Sequence, residues 1–468
     1  MQHYPNSSPF LHTRNAEPST IELSHASKSE PLYYYMYDDF CFTCKNAYQK
    51  KFRDMRANED AKVEASDCQK IGVFKSTVNI VLTAVGVGVL ALPLAIAQSG
   101  WAIGALLLLF TWVLSQLMMH LLWKCIMTER RRGVFVMDSY GSVGEAALGK
   151  PGRYLVSTAT YIGLSAICVI ILILLGSGLF SITGTLSRPA WIRIAALCIL
   201  PLSWLPSLKE VGILSAIGVV AVGVVGLTIL SASITLDEAD RGEMSPFPTS
   251  PSGMAMSFIE FMNSFTVAPV IPTIIAGMKA PEKFPKVSAM AFAIISFSFG
   301  VIGFAGYAGW GDLLLLGDGN ITSMISGHVI YQPVCQVAII IISLAHFLVM
   351  FNPVAVLSDS VVPVVGSSKL VHALLRVIAR SCLVGFLLLF ALYIPSFGTI
   401  VNLVGSTVVM PLQVLFPICF YLIICREEIS ERSTTNKVLM YTSFGAAAAT
   451  ALIAMGYGLF DVITHWKL

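Results

Sequence analysis

The chain has 468 residues, 56% hydrophobic and only 12% charged, with a formal net charge of +3 and a mean hydropathy of +0.76. So little polar surface excludes a water-soluble globular fold and points to an all-α polytopic membrane protein. The small net charge argues against a nucleic-acid partner, and the ten scattered Cys, among them Cys168, Cys198 and Cys382 inside apolar runs, read as packing residues and not as a disulfide framework.

Residues 1–70 have another composition, rich in Ser, Asn, Lys and acids, with no apolar run long enough for a signal peptide. They are expected to form a cytosolic tail, largely disordered or peripheral, ahead of a transmembrane domain over 71–468. Within the tail, Cys41 and Cys44 have CxxC spacing but no second pair, so no metal site is expected. Tyr37 to Phe40 fits a Tyr-x-x-bulky sorting pattern, and Asp54 to Lys70 reads as a solvated helix.

The stretch Val73 to Trp101 is a membrane-length apolar run interrupted by Gly86, Gly88 and Pro93. Backbone groups released at bilayer depth find no water, so such a break persists only where it packs in protein or lines a polar cavity. Ten further spans follow, at 101–125, 154–184, 190–206, 210–235, 254–277, 287–310, 331–356, 373–394, 397–424 and 438–463. A ten-span count is the rival, because only Pro206, Lys209 and Glu210 separate the fourth from the fifth. With eleven spans the Lys and Arg clusters at 124–153, 279–286, 369–380 and 426–437 fall on one side, and the acidic loop Asp237 to Glu243 on the other. That asymmetry places the N-terminus in the cytosol and the C-terminus outside it. Asn320-Ile321-Thr322 is then a glycosylation acceptor pattern on the non-cytosolic side, while Asn6-Ser7-Ser8 is cytosolic and silent.

The sixth span, Met254 to Met278, is broken in turn by Pro269 and Pro272. Two halves of five helices each lie in opposite orientation, the arithmetic of an inverted repeat with its site where the two broken helices meet. An amino acid suits such a site. Its carboxylate can be held by N–H groups around Gly86, Val87, Gly88 and Val89, and its ammonium by carbonyls around Thr266, Val267 and Ala268. On this reading, bulk at Gly88 abolishes uptake.

The run Gly86-Val87-Gly88-Val89-Leu90-Ala91-Leu92-Pro93-Leu94-Ala95 with Gly100-Trp101 resembles the first span of the amino acid/auxin permease family. Tyr140 to Arg153, Pro272 with Met278 to Phe284, Gly303 to Gly309, Pro395-Ser396-Phe397, Gly405-Ser406 and Pro417 with Phe420 to Leu422 extend the resemblance over nearly everything after residue 70. It implies a LeuT-like 5+5 inverted repeat plus one C-terminal helix, and amino acid transport driven by an ion gradient. The chain also departs from the pattern. Gly277 precedes Met278 where relatives often carry an acid, and Val267-Ala268 stands where relatives often carry Gly-His. Leu82 falls where sodium-coupled members place an Asn, and Asn79 where some proton-coupled members place a His.

Ionisable groups inside apolar spans are costly and become site candidates by default. Glu260 and His346, with Asn79, are the ion-coupling candidates; His120 reads as a helix-packing residue. Ser165 and Ile167, with Ser343, are pocket walls named by analogy of position. No catalytic constellation occurs at suitable spacing, so no enzyme, no cofactor and no metal are expected. The expectation is a monomeric secondary active carrier of neutral amino acids in a plasma or vacuolar/lysosomal membrane, coupled to protons in preference to sodium, since Leu82 cannot ligate sodium and Glu260 can carry a proton. A sodium-coupled carrier, or an amino acid sensor on the same fold, is the alternative.

Overall fold

The computed structural model describes residues 71–133, 137–204, 208–248, 250–317, 320–325, 330–361, 369–394 and 397–465. The 1–70 tail, with Cys41, Cys44, the Tyr37 to Phe40 pattern, Asn6 and Asp54 to Lys70, lies outside the described residues, as do Pro206, Asp318, Pro395 and Ser396.

The first span is split into α1 (Val73–Ala84), a 3-10 turn (Val87–Ala91) and α2 (Leu92–Ser99), and its halves meet at 54°. There follow α3 (Trp101–Arg132), α4 (Tyr140–Thr183), α5 (Arg188–Ser203) and α6 (Leu208–Thr235). The sixth span is split again, into α7 (Pro251–Ser264), a 3-10 turn (Ala268–Val270) and α8 (Ile271–Ala276). Next come α9 (Phe284–Trp310), α10 (Tyr331–Val361) and α11 (Lys369–Tyr393). The tenth span runs from α12 (Phe397–Val404) through two π-helical turns (Gly405–Val409 and Pro411–Leu415) into α13 (Phe416–Ile424), before α14 (Arg426–Ser430) and α15 (Thr434–His465).

The eleven extents read from the sequence largely coincide with these helices. By length and composition, eight helices among the described residues can cross a membrane, or nine with the bent first pair counted as one. The remainder comes from α5, which has only 16 residues, and from α6, whose qualifying part is the shorter Val220–Thr235. The third helix begins earlier than expected, at Tyr140, because Ser139 and Ser142 close a capping box there. Its direction changes at Gly149, where φ is 70° and Pro151 follows.

Local chemistry explains the ends of the half-helices. Pro93 stands in the first turn of α2 and Pro272 in that of α8, where the missing N–H would have had no intrahelical partner. Lipid tails are as apolar as Leu, so association between these helices rests on close packing and interhelical hydrogen bonds. Gly303 and Gly306 of α9 provide such packing: a Cβ on Gly306 would come within 2.6 Å of Pro93 Cγ, and one on Gly303 within 2.8 Å of Ile96 Cδ1. The Ser257 hydroxyl of α7 donates to the Ala95 carbonyl of α2 at 2.6 Å, pinning the two broken spans side by side. At the far end of the sixth span, Ile71 pairs with Gly277 and Lys279 through backbone bonds of 2.9 and 3.0 Å, tying the start of the first span to the end of the sixth.

Candidate functional site

The first break is a gap in the backbone ladder. The Val85 N–H still reaches the Val81 carbonyl at 2.8 Å, and the Val89 N–H starts the next turn on the Gly86 carbonyl at 3.3 Å. Between them, the N–H groups of Gly86 and Gly88 bond to nothing among the described residues. Gly86 lies under the ring of His346 from α10, so closely that a Cβ there would overlap the imidazole.

The second break is closed by a side chain. Gln413, fully buried in the π-helical part of the tenth span, accepts from the N–H groups of Val267 and Ala268 at 3.3 and 3.1 Å. Its amide nitrogen donates to the Phe265 carbonyl at 3.1 Å. Pro411 offers no N–H to the helix ladder, and the wider π turn re-aims the next residues, a device common at functional sites. The Val267 carbonyl accepts from the Val270 N–H and the Ala268 carbonyl from the Ile271 N–H. The Thr266 carbonyl accepts no bond among the described residues.

Between the breaks lies a cavity of about 80 Å³. Gly86 and Gly88 line it from the first span; Asn263, Ser264, Thr266 and Val267 from the sixth; His346 and Met350 from α10. The remaining wall is mostly aliphatic, supplied by α4 and the tenth span, and no Asp, Glu, Lys or Arg lines it. Among the polar walls, the Thr83 and Thr266 hydroxyls are spent on the Asn79 and Met262 carbonyls. The Asn263 amide has no hydrogen-bond partner among the described residues and neither does the His346 ring, so both are available to a ligand.

Six of the expected site residues therefore come together at the cavity: Gly86, Gly88, Ile167, Thr266, Val267 and His346. Val87, between the two glycines, begins the 3-10 turn. Val89 and Ala268 stand behind it, buried, with their N–H groups already bonded. Ser165 is only half-buried and does not reach the cavity, because α4 presents Thr160, Gly163, Leu164, Ile167 and Ile170 at helical spacing and residue 165 falls off that face. Asn79 is exposed on α1, and the cavity residue a turn later is Thr83. Glu260 is 1% exposed, one turn before Ser264, but outside the lining. Ser343 is fully buried with an unpartnered hydroxyl. His120 is half-buried and packs its ring 5.2 Å from that of Trp123. Asn320 is 7% exposed and accepts from the Thr322 N–H at 3.1 Å, so its expected glycan rests on the sequence pattern alone. Gln413, Asn263 and Ser264 were not expected. Their signal was polarity inside apolar runs, which marks a buried polar group without naming its partner.

The family model for the transmembrane amino acid transporter protein matches residues 69–458. The chain belongs to that transporter family. Among its relatives, the amino acid transporter AVT1H of Arabidopsis thaliana is 26% identical over 397 residues, covering 83% of this chain and 88% of the relative. AVT3B of the same plant is 26% identical over 394 residues, covering 80% and 90%. A Na+-coupled sialic acid symporter, solved in a substrate-bound outward-open state, aligns with a TM-score of 0.53 at 14% identity, over 85% of this chain and 91% of that one. The transporter thus has the LeuT-like fold, and the paired breaks are that fold's discontinuous helices.

Proposed function

We propose that this chain is a secondary active carrier of small neutral amino acids, working by alternating access and coupled to protons. The carrying observation is the open turn at Gly86 and Gly88, whose two unbonded N–H groups belong to the wall of a cavity without charged side chains among the described residues. A carboxylate satisfies those donors, and an ammonium finds the Thr266 carbonyl and the Asn263 amide oxygen. The cavity is small, about 80 Å³, which suits a small amino acid such as alanine, and the aliphatic wall offers a charged side chain no partner.

Protons are favoured over sodium by what surrounds Leu82. Among the described residues, the space beside it, about 20 Å³, is lined by Leu82, Val85, Gly218, Ile342, Ala345, His346 and Val349, none of them with a side-chain oxygen. Glu260 supplies a buried carboxyl on the sixth span. The tail and the basic loops are read as cytosolic, Asn320 and the C-terminus as non-cytosolic, and the membrane as vacuolar/lysosomal or plasma. A single carrier unit suffices, since both breaks come from one chain.

The test is uptake of labelled alanine into proteoliposomes containing the purified chain, first under an imposed pH gradient and then under a sodium gradient at fixed pH. Accumulation with the pH gradient alone is expected, with competition by neutral amino acids but not by their decarboxylated amines. Amines that compete as well as the parent amino acids overturn the role of the first break. Binding without counterflow overturns transport in favour of a sensor.

A further inference from the structure

The stretch Tyr140 to Arg153 carries part of the family resemblance, yet none of its residues lines the amino acid cavity. Tyr140, which opens α4, is 2% exposed, and its hydroxyl donates to the Leu412 carbonyl of the tenth span at 2.6 Å. Its ring meets that of Phe420 edge-on, with centroids 5.9 Å apart. The tenth span needs this donor. In an α-helix the Leu412 carbonyl would accept from the Phe416 N–H, but in the π turn that N–H bonds to the Pro411 carbonyl. A π-type bond would have to come from residue 417, and Pro417 has no N–H. The Leu412 carbonyl is thus buried without a backbone donor, and a hydroxyl 272 residues away in the chain supplies the bond.

What depends on that bond is the next residue. Gln413 accepts from the Val267 N–H and donates to the Phe265 carbonyl, so it holds both chain neighbours of Thr266. The Thr266 carbonyl and the Val267 N–H belong to one planar trans peptide and point in opposite directions. With the N–H turned to Gln413 the carbonyl is turned away from it, and Thr266 lines the cavity. The segment ahead of α4 also holds the far side of the same break: the Thr273 hydroxyl of α8 donates to the Asp138 carbonyl at 2.8 Å.

We propose that Tyr140 is a positioning residue of the amino acid site: by fixing the Leu412 carbonyl it sets the aim of Gln413, and through Gln413 that of the Thr266 carbonyl, which receives the ammonium. This rests on the carrier reading above. The Leu412 carbonyl and the Gln413 N–H share one peptide plane, so a rotation of that carbonyl swings the glutamine with it. Without the Tyr140 hydroxyl the carbonyl is a buried acceptor lacking a donor, a state that costs free energy and is relieved by such a rotation. The glutamine's hold on the sixth break then loosens, although Tyr140 itself touches no substrate.

Labelled alanine uptake by proteoliposomes with the full chain, measured over a concentration series, tests this on Tyr140→Phe, which removes the hydroxyl and keeps the ring. The KM for alanine is expected to rise about fivefold, the scale of one hydrogen bond. KM does not depend on how many molecules fold, so a merely structural hydroxyl would lower Tm and the maximal rate and leave KM where it was. An unchanged KM in a chain whose wild type transports alanine overturns the positioning role alone. A wild type that neither binds nor exchanges alanine overturns the carrier reading and this role with it. A second variant separates the route: Gln413→Asn draws the amide back by one methylene. If Tyr140 acts through Gln413, the KM of the double variant stays within about twofold of the worse single one. Fold-changes that multiply mean that Tyr140 acts on the Leu412 wall alone, and they overturn the route through Gln413.

Discussion

The two broken spans solve the same backbone problem in opposite ways. At the sixth, a buried glutamine from another helix takes two N–H groups and one carbonyl, leaving the Thr266 carbonyl as the acceptor without a bond. At the first, the Gly86 and Gly88 N–H groups are left without a partner among the described residues. Buried orphan donors are costly, and they persist where a ligand completes them. On the proposed reading, the Gln413 bonds make the sixth break rigid and leave only its Thr266 carbonyl for the ammonium, while the first break offers its N–H groups to the carboxylate.

The strongest way to break that assignment is Gln413→Leu. It strips partners from three buried backbone groups at once, and at about 1–3 kcal/mol each the loss reaches several kcal/mol. Thermal unfolding of the purified chain in detergent should show a marked fall in Tm, with uptake lost alongside it. An unchanged Tm with altered affinity for alanine would instead make Gln413 a contributor to binding and not to rigidity.

Substitutions at the first break should act on uptake and spare stability. Gly86 carries the larger effect, since a side chain there displaces the His346 ring. Gly86→Val is expected to lower uptake about 10²-fold, the scale of a misplacement by about 1 Å in a positioned site. At Gly88 the added Cβ would meet the Ser264 hydroxyl at 3.3 Å, a contact relieved by a few tenths of an ångström. Gly88→Ala should therefore raise the KM for alanine only two- to fivefold, about 0.5–1 kcal/mol. Radiolabelled uptake across a concentration series measures both, and a larger effect at Gly88 than at Gly86 would return the weight to the position that the sequence reading favoured.

That shift from Gly88 to Gly86 shows what the sequence could carry. Gly and Pro announce where a helix must break, so Gly86, Gly88, Pro269 and Pro272 were legible as punctuation, and the spans around them as apolar runs. Which glycine is crowded depends on His346, a contact between the first span and α10 that no local pattern encodes. Gln413 is harder still. It sits 146 residues from the backbone group it satisfies, and its reach depends on π turns that a run of apolar residues does not signal. Val89 and Ala268 were reasonable choices by adjacency, but a short step along a turn exchanges an open backbone group for a bonded one, the N–H at Val89 and the carbonyl at Ala268. Ser165 lies off the cavity-lining face for a similar reason on a helix, where neighbours point to different faces.

The smallest effect sharpens the comparison most, because it asks whether the two breaks are independent. Ser264 of the sixth span reaches the Gly88 carbonyl at 3.2 Å and the carbonyl of its own Glu260 at 3.0 Å. One hydroxyl has one proton, so it serves only one of these carbonyls at a time, and the nearer is within its own helix. Ser264→Ala removes this donor and leaves no new orphan donor, so the loss should stay near 0.5–1 kcal/mol in stability. The KM for alanine should move by a factor of about two. If binding falls far more than stability, the hydroxyl belongs to the alanine site itself. If pH-driven accumulation collapses while counterflow remains, the bond across the breaks transmits the coupling, and the sixth span is then a moving part whose rigidity Gln413 merely preserves.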